Sequence, residues 1–235
     1  MTDQSRQHQS STRHPVLDVA TVGKPHPLLA YFLDAVDGRF PPTDGAVAVV
    51  PALPRGLECS VAFTGHAVVA TALPAADVHA HRPDGFGASL APDFLRCLAG
   101  STGWIGVIDA TLAGRGTGGP PRLQRLANVD DHPRVRHARQ LRTDVRVFGD
   151  ERGLITLADG LAGRRELGVE LHRPQEGSHG YGRSLLTDAL SLVPDGEPVF
   201  AAVSPGNARS LRAFLTVGFT PVGAQVLLQP NRAAE

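Results

Sequence analysis

The chain has 235 residues, 23 basic and 23 acidic side chains and a hydrophobic fraction of 42%. That length suits one large domain or two small ones with real cores, and the balanced charge argues against a dedicated nucleic-acid binder. Two cysteines make no disulfide framework, no apolar run reaches the ~18 residues of a membrane span, and the absence of a leader points to the cytoplasm, with no membrane partner.

Residues 1–24 are rich in Gln, Ser, Thr and His, lack apolar periodicity and read as a disordered tail. Leu28 to Val36 reads as a short amphipathic helix, and Ala46 to Val50 as a strand. Glu58–Phe63 and Ala67–Leu73 flank Thr64-Gly65-His66 as a hairpin. Leu90 to Leu98 reads as a helix and Trp104 to Ile108 as a buried strand. Gly114 to Pro121 is so rich in Gly and Pro that it reads as a flexible break, dividing a unit at 25–120 from one at 121–235.

In the second unit, His132 to Arg142 reads as a helix capped by Asp130 or Asp131. Asp144–Phe148 and Leu154–Leu157 form a second hairpin, and Arg165–Arg173 a third strand. Ser184–Val193 is helical, Val199–Val203 a buried strand, Asn207–Val217 a helix stopped by Gly218, and Val222–Leu228 a last strand. Asp84 to Leu95 aligns without gaps on His179 to Leu190, which suggests a degenerate tandem repeat; chance similarity of two strand–turn–helix units is the alternative. The first copy has one residue between Pro83 and its first glycine, against five in the second, and so lacks a loop long enough for a phosphate.

Two signatures carry the chemistry. The first is the loop Pro174-Gln-Glu-Gly177-Ser178-His179-Gly180-Tyr181-Gly182-Arg183, which opens a helix. A glycine-rich turn at a helix start presents outward N–H groups to an anion, aided by the helix dipole. The second is Asn207-Ala-Arg-Ser210-Leu-Arg-Ala-Phe214-Leu-Thr-Val-Gly218-Phe219.

In their order and spacing these motifs resemble those of the GNAT superfamily of acyl-CoA-dependent N-acyltransferases, over roughly residues 130–228. Gly180, Gly182 and the following helix fit its glycine pattern, while Gly177 takes the usual Gln or Arg slot. Asn207, Ser210, Gly218 and Phe219 fit its second pattern, while Phe214 takes the usual Tyr slot. The resemblance implies a mixed, mostly antiparallel α/β sheet with helices on both faces. It implies acetyl-CoA as cosubstrate, held by the Ser178–Arg183 loop, and a primary amine as acceptor, a small molecule or a protein, acetylated by direct attack. It would pair Glu170, Leu171 and His172 with the pantetheine arm, put the Glu170 amide near the thioester carbonyl, and give Glu166 the general base's position. Asn207 and Phe214 would flank the cofactor. A homodimer is compatible with this reading.

In a strand Glu166, Gly168, Glu170 and His172 share one face. Such a polar face requires a wet cleft, where a partly desolvated carboxylate would have a raised pKa and suit a base, with Glu170 the runner-up. The bland alternative is that both glutamates pair with Arg164, Arg165 or Arg173. Phe214 cannot protonate a departing thiolate, which leaves Tyr181, water or unassisted departure. A non-catalytic acyl-CoA-binding module is the rival reading, and a longer acyl group a second one.

Asp77, His79 and His81 would share a strand face as metal ligands, but the further ligands and large barrel of such sites are missing, so no metal is expected. The loop lacks the order of a Rossmann fingerprint and the Lys of a P-loop. Arg134, Arg136, Arg139 and Arg142 read as a solvated basic helix face, with CoA phosphates or acidic acceptors as other partners.

Overall fold

A computed structural model describes residues 24–173 and 180–232. In chain order its elements are α1 (Pro27–Val36), β1 (Val47–Val50), β2 (Glu58–Phe63), β3 (His66–Ala70), α2 (Ala75–Ala80), α3 (Pro92–Ala99), β4 (Trp104–Ile105), β5 (Asp109–Arg115) and β6 (Gln124–Arg125). They continue with α4 (Pro133–Leu141), β7 (Thr143–Asp150), β8 (Gly153–Asp159), β9 (Arg165–Leu171), α5 (Tyr181–Leu190), β10 (Pro198–Val203), α6 (Ala208–Thr216) and β11 (Thr220–Gln229).

The strands form one mixed sheet in the order β1-β3-β2-β11-β5-β10-β9-β8-β7-β6, with β4 beside β11. Only β1–β3 and β9–β10 are parallel pairs, so the sheet is mostly antiparallel, as expected. Strand β5, from the first half, lies between β10 and β11 of the second, so the halves share one sheet. The Gly-Pro segment expected to be a flexible break is tied down instead. Thr117 and Gly118 donate to the carbonyls of Leu190 and Val193, and Gly116 exchanges backbone hydrogen bonds with Gly196 and Glu197.

Side-chain alternation distributes the helices to both faces. Leu28 and Phe32 of α1 pack on Cys59, Val61, Phe63 and Phe200, while Val135 of α4 packs on Val147 and Leu154 of the same face. On the opposite face Leu185, Leu186 and Ala189 of α5 meet Ile155, Leu157 and Leu167, and α3 covers Val69, Val226 and Leu228. Local signals set the helix ends. The His26 ring accepts from the Leu28 amide ahead of α1, Asn207 caps α6 through the Ser210 amide at 3.1 Å, and Gly218 stops α6 at φ +94°.

Four expectations change. The Trp104–Ile108 run is not a buried strand: only Trp104 and Ile105 pair, and Trp104, Val107 and Ile108 are exposed. Asp77 to His81 is helix α2 and its C-cap rather than strand, so His79 does not share a face with Asp77 and His81. His132, not an aspartate, caps α4, its ring accepting from the Arg134 amide. The proposed repeat folds differently in its two copies. Tyr181–Leu190 is one continuous helix, whereas the aligned residues of the first copy make a turn, a 3₁₀ segment at Ala88–Leu90 and a new helix at Pro92. Proline at the first position starts that second helix but cannot continue a preceding one.

Phe32 lies at the centre of the α1 core, edge-on to Phe200 and beside Phe63. Phe32→Ala should lower the unfolding free energy in a urea titration by about 3–5 kcal/mol, the usual cost of a phenylalanine-sized cavity.

Candidate functional site

Strands β9 and β10 run parallel but pair at a single register point, Phe200 with Glu166. On its other edge β9 pairs with β8 along its whole length, from Arg165 to Leu171. Beyond Glu166, then, the edge of β9 that faced β10 is open. A cavity of about 430 Å³ occupies the split. Asp109, Arg134, His137, Arg142, Glu166 and Gln225 form its polar wall, and Leu53, Trp104 and Val107 an apolar one. The wet cleft expected beside the polar face of β9 is therefore present, with Glu166 and Gly168 in its lining.

Glu166 is not the raised-pKa carboxylate expected there. Its Oε2 accepts from Arg142 Nε at 2.6 Å, and its Oε1 accepts from Arg164 Nε at 2.9 Å and from the Leu161 amide at 3.1 Å. Burial pushes this carboxyl up, but Arg142 and Arg164 together outweigh burial and hold it at about 2. A carboxylate so weakly basic, with its lone pairs already engaged, is poorly suited to take a proton from an amine at neutral pH. The pairing alternative describes Glu166 better, with Arg142 joining the anticipated Arg164.

Arg164 itself is fully buried. Its guanidinium lies 4.1 Å from the Phe32 ring centroid and 5.0 Å from that of Phe200. Its Nη2 donates to Gln225 Oε1 at 2.6 Å, which also accepts from Thr111 at 2.9 Å. Gly160 has no side chain because the Glu166 carboxylate fills that space.

The other expected residues fall on two sides of the split. Glu170 is exposed at the end of β9, 3.9 Å from the His132 ring. Leu171 points to the α5 face, and the His172 amide donates to the Arg152 carbonyl at 3.2 Å. Gly177, Ser178 and His179 lie outside the described residues. Gly180 precedes α5 with φ +77°, a conformation that favours glycine, and among the described residues no side chain caps that helix. Tyr181 is exposed in the first turn, and an Arg183 Nη lies 3.7 Å from where a Gly180 Cβ would stand. At Gly182 an added Cβ would meet only Ala213 and Leu171, at 3.8 and 3.9 Å, so packing does not demand glycine there. Asn207 and Phe214 reach the cavity wall from α6. Asn207 spends its side chain on the helix cap, and Phe214 is a core residue set edge-on to Phe219.

Three polar residues of the wall were not singled out from sequence as site residues. Asp109, at the start of β5, is half-buried, and its carboxylate has no hydrogen bond or ion pair among the described residues. Burial raises its pKa most, with Glu166 adding to this and Arg142 opposing it. Arg134 and His137 face the cleft from α4, with Leu141, at spacings i, i+3 and i+7. The basic face expected on α4 is thus divided, Arg134 and Arg142 turned to the cleft and Arg139 paired outside with Asp130. The helical period held this signal, but nothing in the sequence told which face would meet a cavity. Partial burial lowers the His137 pKa, and the cations Arg142 and Arg134 lower it further, so the ring is neutral at physiological pH. Among the described residues no three His, Cys, Asp or Glu side chains cluster to hold a metal, and no helix is long and apolar enough to cross a membrane.

No family model and no curated protein matches the chain. Among solved structures, a similar chain is a candidate acetyltransferase of the GNAT family from Novosphingobium aromaticivorans, 14% identical, with a TM-score of 0.37. The alignment covers 55% of this chain and 66% of that one, just under two thirds of its length.

The lowered pKa of Glu166 makes its stabilisation pH-dependent. It is complete above the ordinary value of 4.5 and is lost as pH falls toward about 2. Glu166→Gln should cost about 3–5 kcal/mol at neutral pH by leaving two cations unpaired. It should also flatten the loss of stability in that acid window, measured by denaturant titration at several pH values.

Proposed function

We propose that this protein transfers an acyl group, acetyl in the simplest case, from acyl-CoA to a primary amine. The observation that carries the reading is the split between β9 and β10. It passes through the sheet from the face where α5 begins to the polar wall on the face of α4. The glycine motif at α5 and the Asn207 motif at α6 support it from the sequence.

On this reading the pyrophosphate lies against the Gly177–Arg183 segment, where first-turn N–H groups and the helix dipole favour an anion. The pantetheine arm runs along the open edge of β9 at Glu170 to His172, as an added strand would. The amine enters from the face of α4. Asp109, raised by burial and unpaired, takes its proton. The neutral amine attacks the thioester carbonyl, and the Glu170 N–H steadies the oxyanion. The new C–N bond forms and the C–S bond breaks, and the attacking nitrogen's surplus proton passes through water or Tyr181 to the departing thiolate, leaving the amide and the CoA thiol. His137, neutral at the rim, can pass the proton from Asp109 to solvent. Glu166 holds the wall and moves no proton.

Two expected outcomes test this. Gly182→Val places a branched side chain between α5, α6 and β9, where its Cβ meets Ala213 and Leu171 only at ordinary contact distance and its bulk would displace a cofactor. CoA binding by calorimetry should disappear while the melting temperature stays near that of the wild type; unchanged affinity would remove the site.

Asp109→Asn should lower kcat by about 10²–10⁴-fold with CoA affinity intact. In the wild type, the rate should rise with pH through the raised Asp109 pKa, and the variant should lack that limb. CoA binding without CoA release for any amine would favour a binding module over an enzyme.

A further inference from the structure

The cleft holds an unmatched cation beside an unmatched anion. Arg134 extends from α4 over β9 at Gly168. A Cβ there would stand 3.1 Å from Arg134 Nη2 and 3.5 Å from its Nε, so the missing side chain leaves the space that the guanidinium occupies. No carboxylate lies within 4 Å of Arg134 among the described residues. Glu170 and Asp109 act on it only at longer range, and Arg142 opposes it as a like charge. Burial is the largest influence, pulling its pKa down, although a guanidinium stays charged. Arg142 and Arg164, by contrast, share Glu166.

The position of Arg134 assigns it to the acceptor rather than to CoA. Gly168 shares its face with Glu166 and Glu170, while Leu167 faces α5. Arg134 therefore lies on the opposite side of β9 from α5, at whose start the pyrophosphate is proposed to bind. A planar guanidinium with a free fork binds a carboxylate through two parallel N–H···O bonds.

We infer that the acceptor is an amino acid, its carboxylate held by Arg134 and its amino group presented to Asp109. This rests on the acyltransferase reading above. The charges match in kind: the unpaired Arg134 and the unpaired Asp109 are opposite in sign, as are the two ends of a zwitterion. Leu53, Trp104 and Val107 line the rest of the cavity and suit an apolar side chain.

The test uses the full chain and amino acids with the amino group on the α, β or γ carbon, each paired with its own carboxamide. Calorimetric binding without acyl-CoA and CoA release with acetyl-CoA are read separately. The acids should bind, and their kcat/KM should exceed that of the amides by roughly 10- to 100-fold, the range of a charged hydrogen-bonded contact. Arg134→Gln should bring that ratio toward one by raising KM for the acids, with CoA affinity preserved. Arg134→Lys, which keeps the charge but not the fork, should fall between, and it carries the test if the glutamine variant does not fold.

Equal use of acids and amides by the wild type would overturn the inference. So would an equal loss for both in Arg134→Gln, or failure of every acid to bind while CoA does. Arg134-dependent binding of acids with no CoA release from any amine would sink the acyltransferase reading and leave the acid site standing.

Discussion

The buried pairing of Arg164 with Glu166 is the contact on which the remaining architecture turns. Removing two charges from water is costly, and direct attraction offsets that cost only when the geometry is good and the other polar atoms are satisfied. Here most of the satisfaction comes from distant parts of the chain, although Arg164 Nη1 has no hydrogen-bond partner among the described residues. Arg142 at the end of α4 and the Leu161 amide complete Glu166. Gln225 of β11, itself bonded to Thr111 of β5, completes one end of Arg164, while Phe32 of α1 and Phe200 of β10 flank its plane. The pairing thus joins elements of both halves of the chain and lies at the last register point before β9 and β10 part.

That position has a consequence for the cleft. A strand end that leaves its neighbour exposes backbone groups and needs a rigid anchor where the ladder stops. The anchor takes Glu166, the carboxylate best placed by sequence to serve as a base, and commits it to structure. On the acyltransferase reading proposed above, proton transfer falls to a carboxylate outside the network. Asp109 meets that condition because it lines the same cavity yet is neither hydrogen-bonded nor ion-paired among the described residues. Burial acts on both carboxylates in the same direction. The difference in their pKa shifts comes from whether a guanidinium touches them.

Much of the fold was legible because its signals are local. The strand residues of Glu58–Phe63 and Leu154–Leu157, the 3.6-residue period of α1 and α5, and the glycine that stops α6 each lie within one short window. Strand β5 was missed for the opposite reason. Asp109-Ala-Thr-Leu-Ala113 carries small residues between a stretch that reads as a strand and the glycine-rich break, and the sequence assigns no element to it. What makes it a strand is pairing with β10 and β11, about a hundred residues later in the chain. The site shows the same division. The polar face of β9 was visible in the spacing of Glu166, Gly168 and Glu170. The partner that reverses the pKa of Glu166 was not, because Arg142 is brought to it only by the packing of α4 on β7 and β8.

The two Gly-X-Gly turns show how little separates a structural turn from a binding one. In the first, the Asp84 carboxylate accepts from the Phe86 amide at 2.8 Å and the Ala88 amide at 3.0 Å, and those bonds draw its pKa down. The chain there supplies its own anion, and no amide of that pair is left for a phosphate. In the second, the residue before the helix is Gly180, which has no side chain to offer, and α5 starts without a side-chain cap. Both turns follow the same steric rule for glycine, and both lead toward a helix. The difference lies in the cap rather than in the glycines: among the described residues a carboxylate fills the first turn and none fills the second, and the cofactor site proposed above uses that difference.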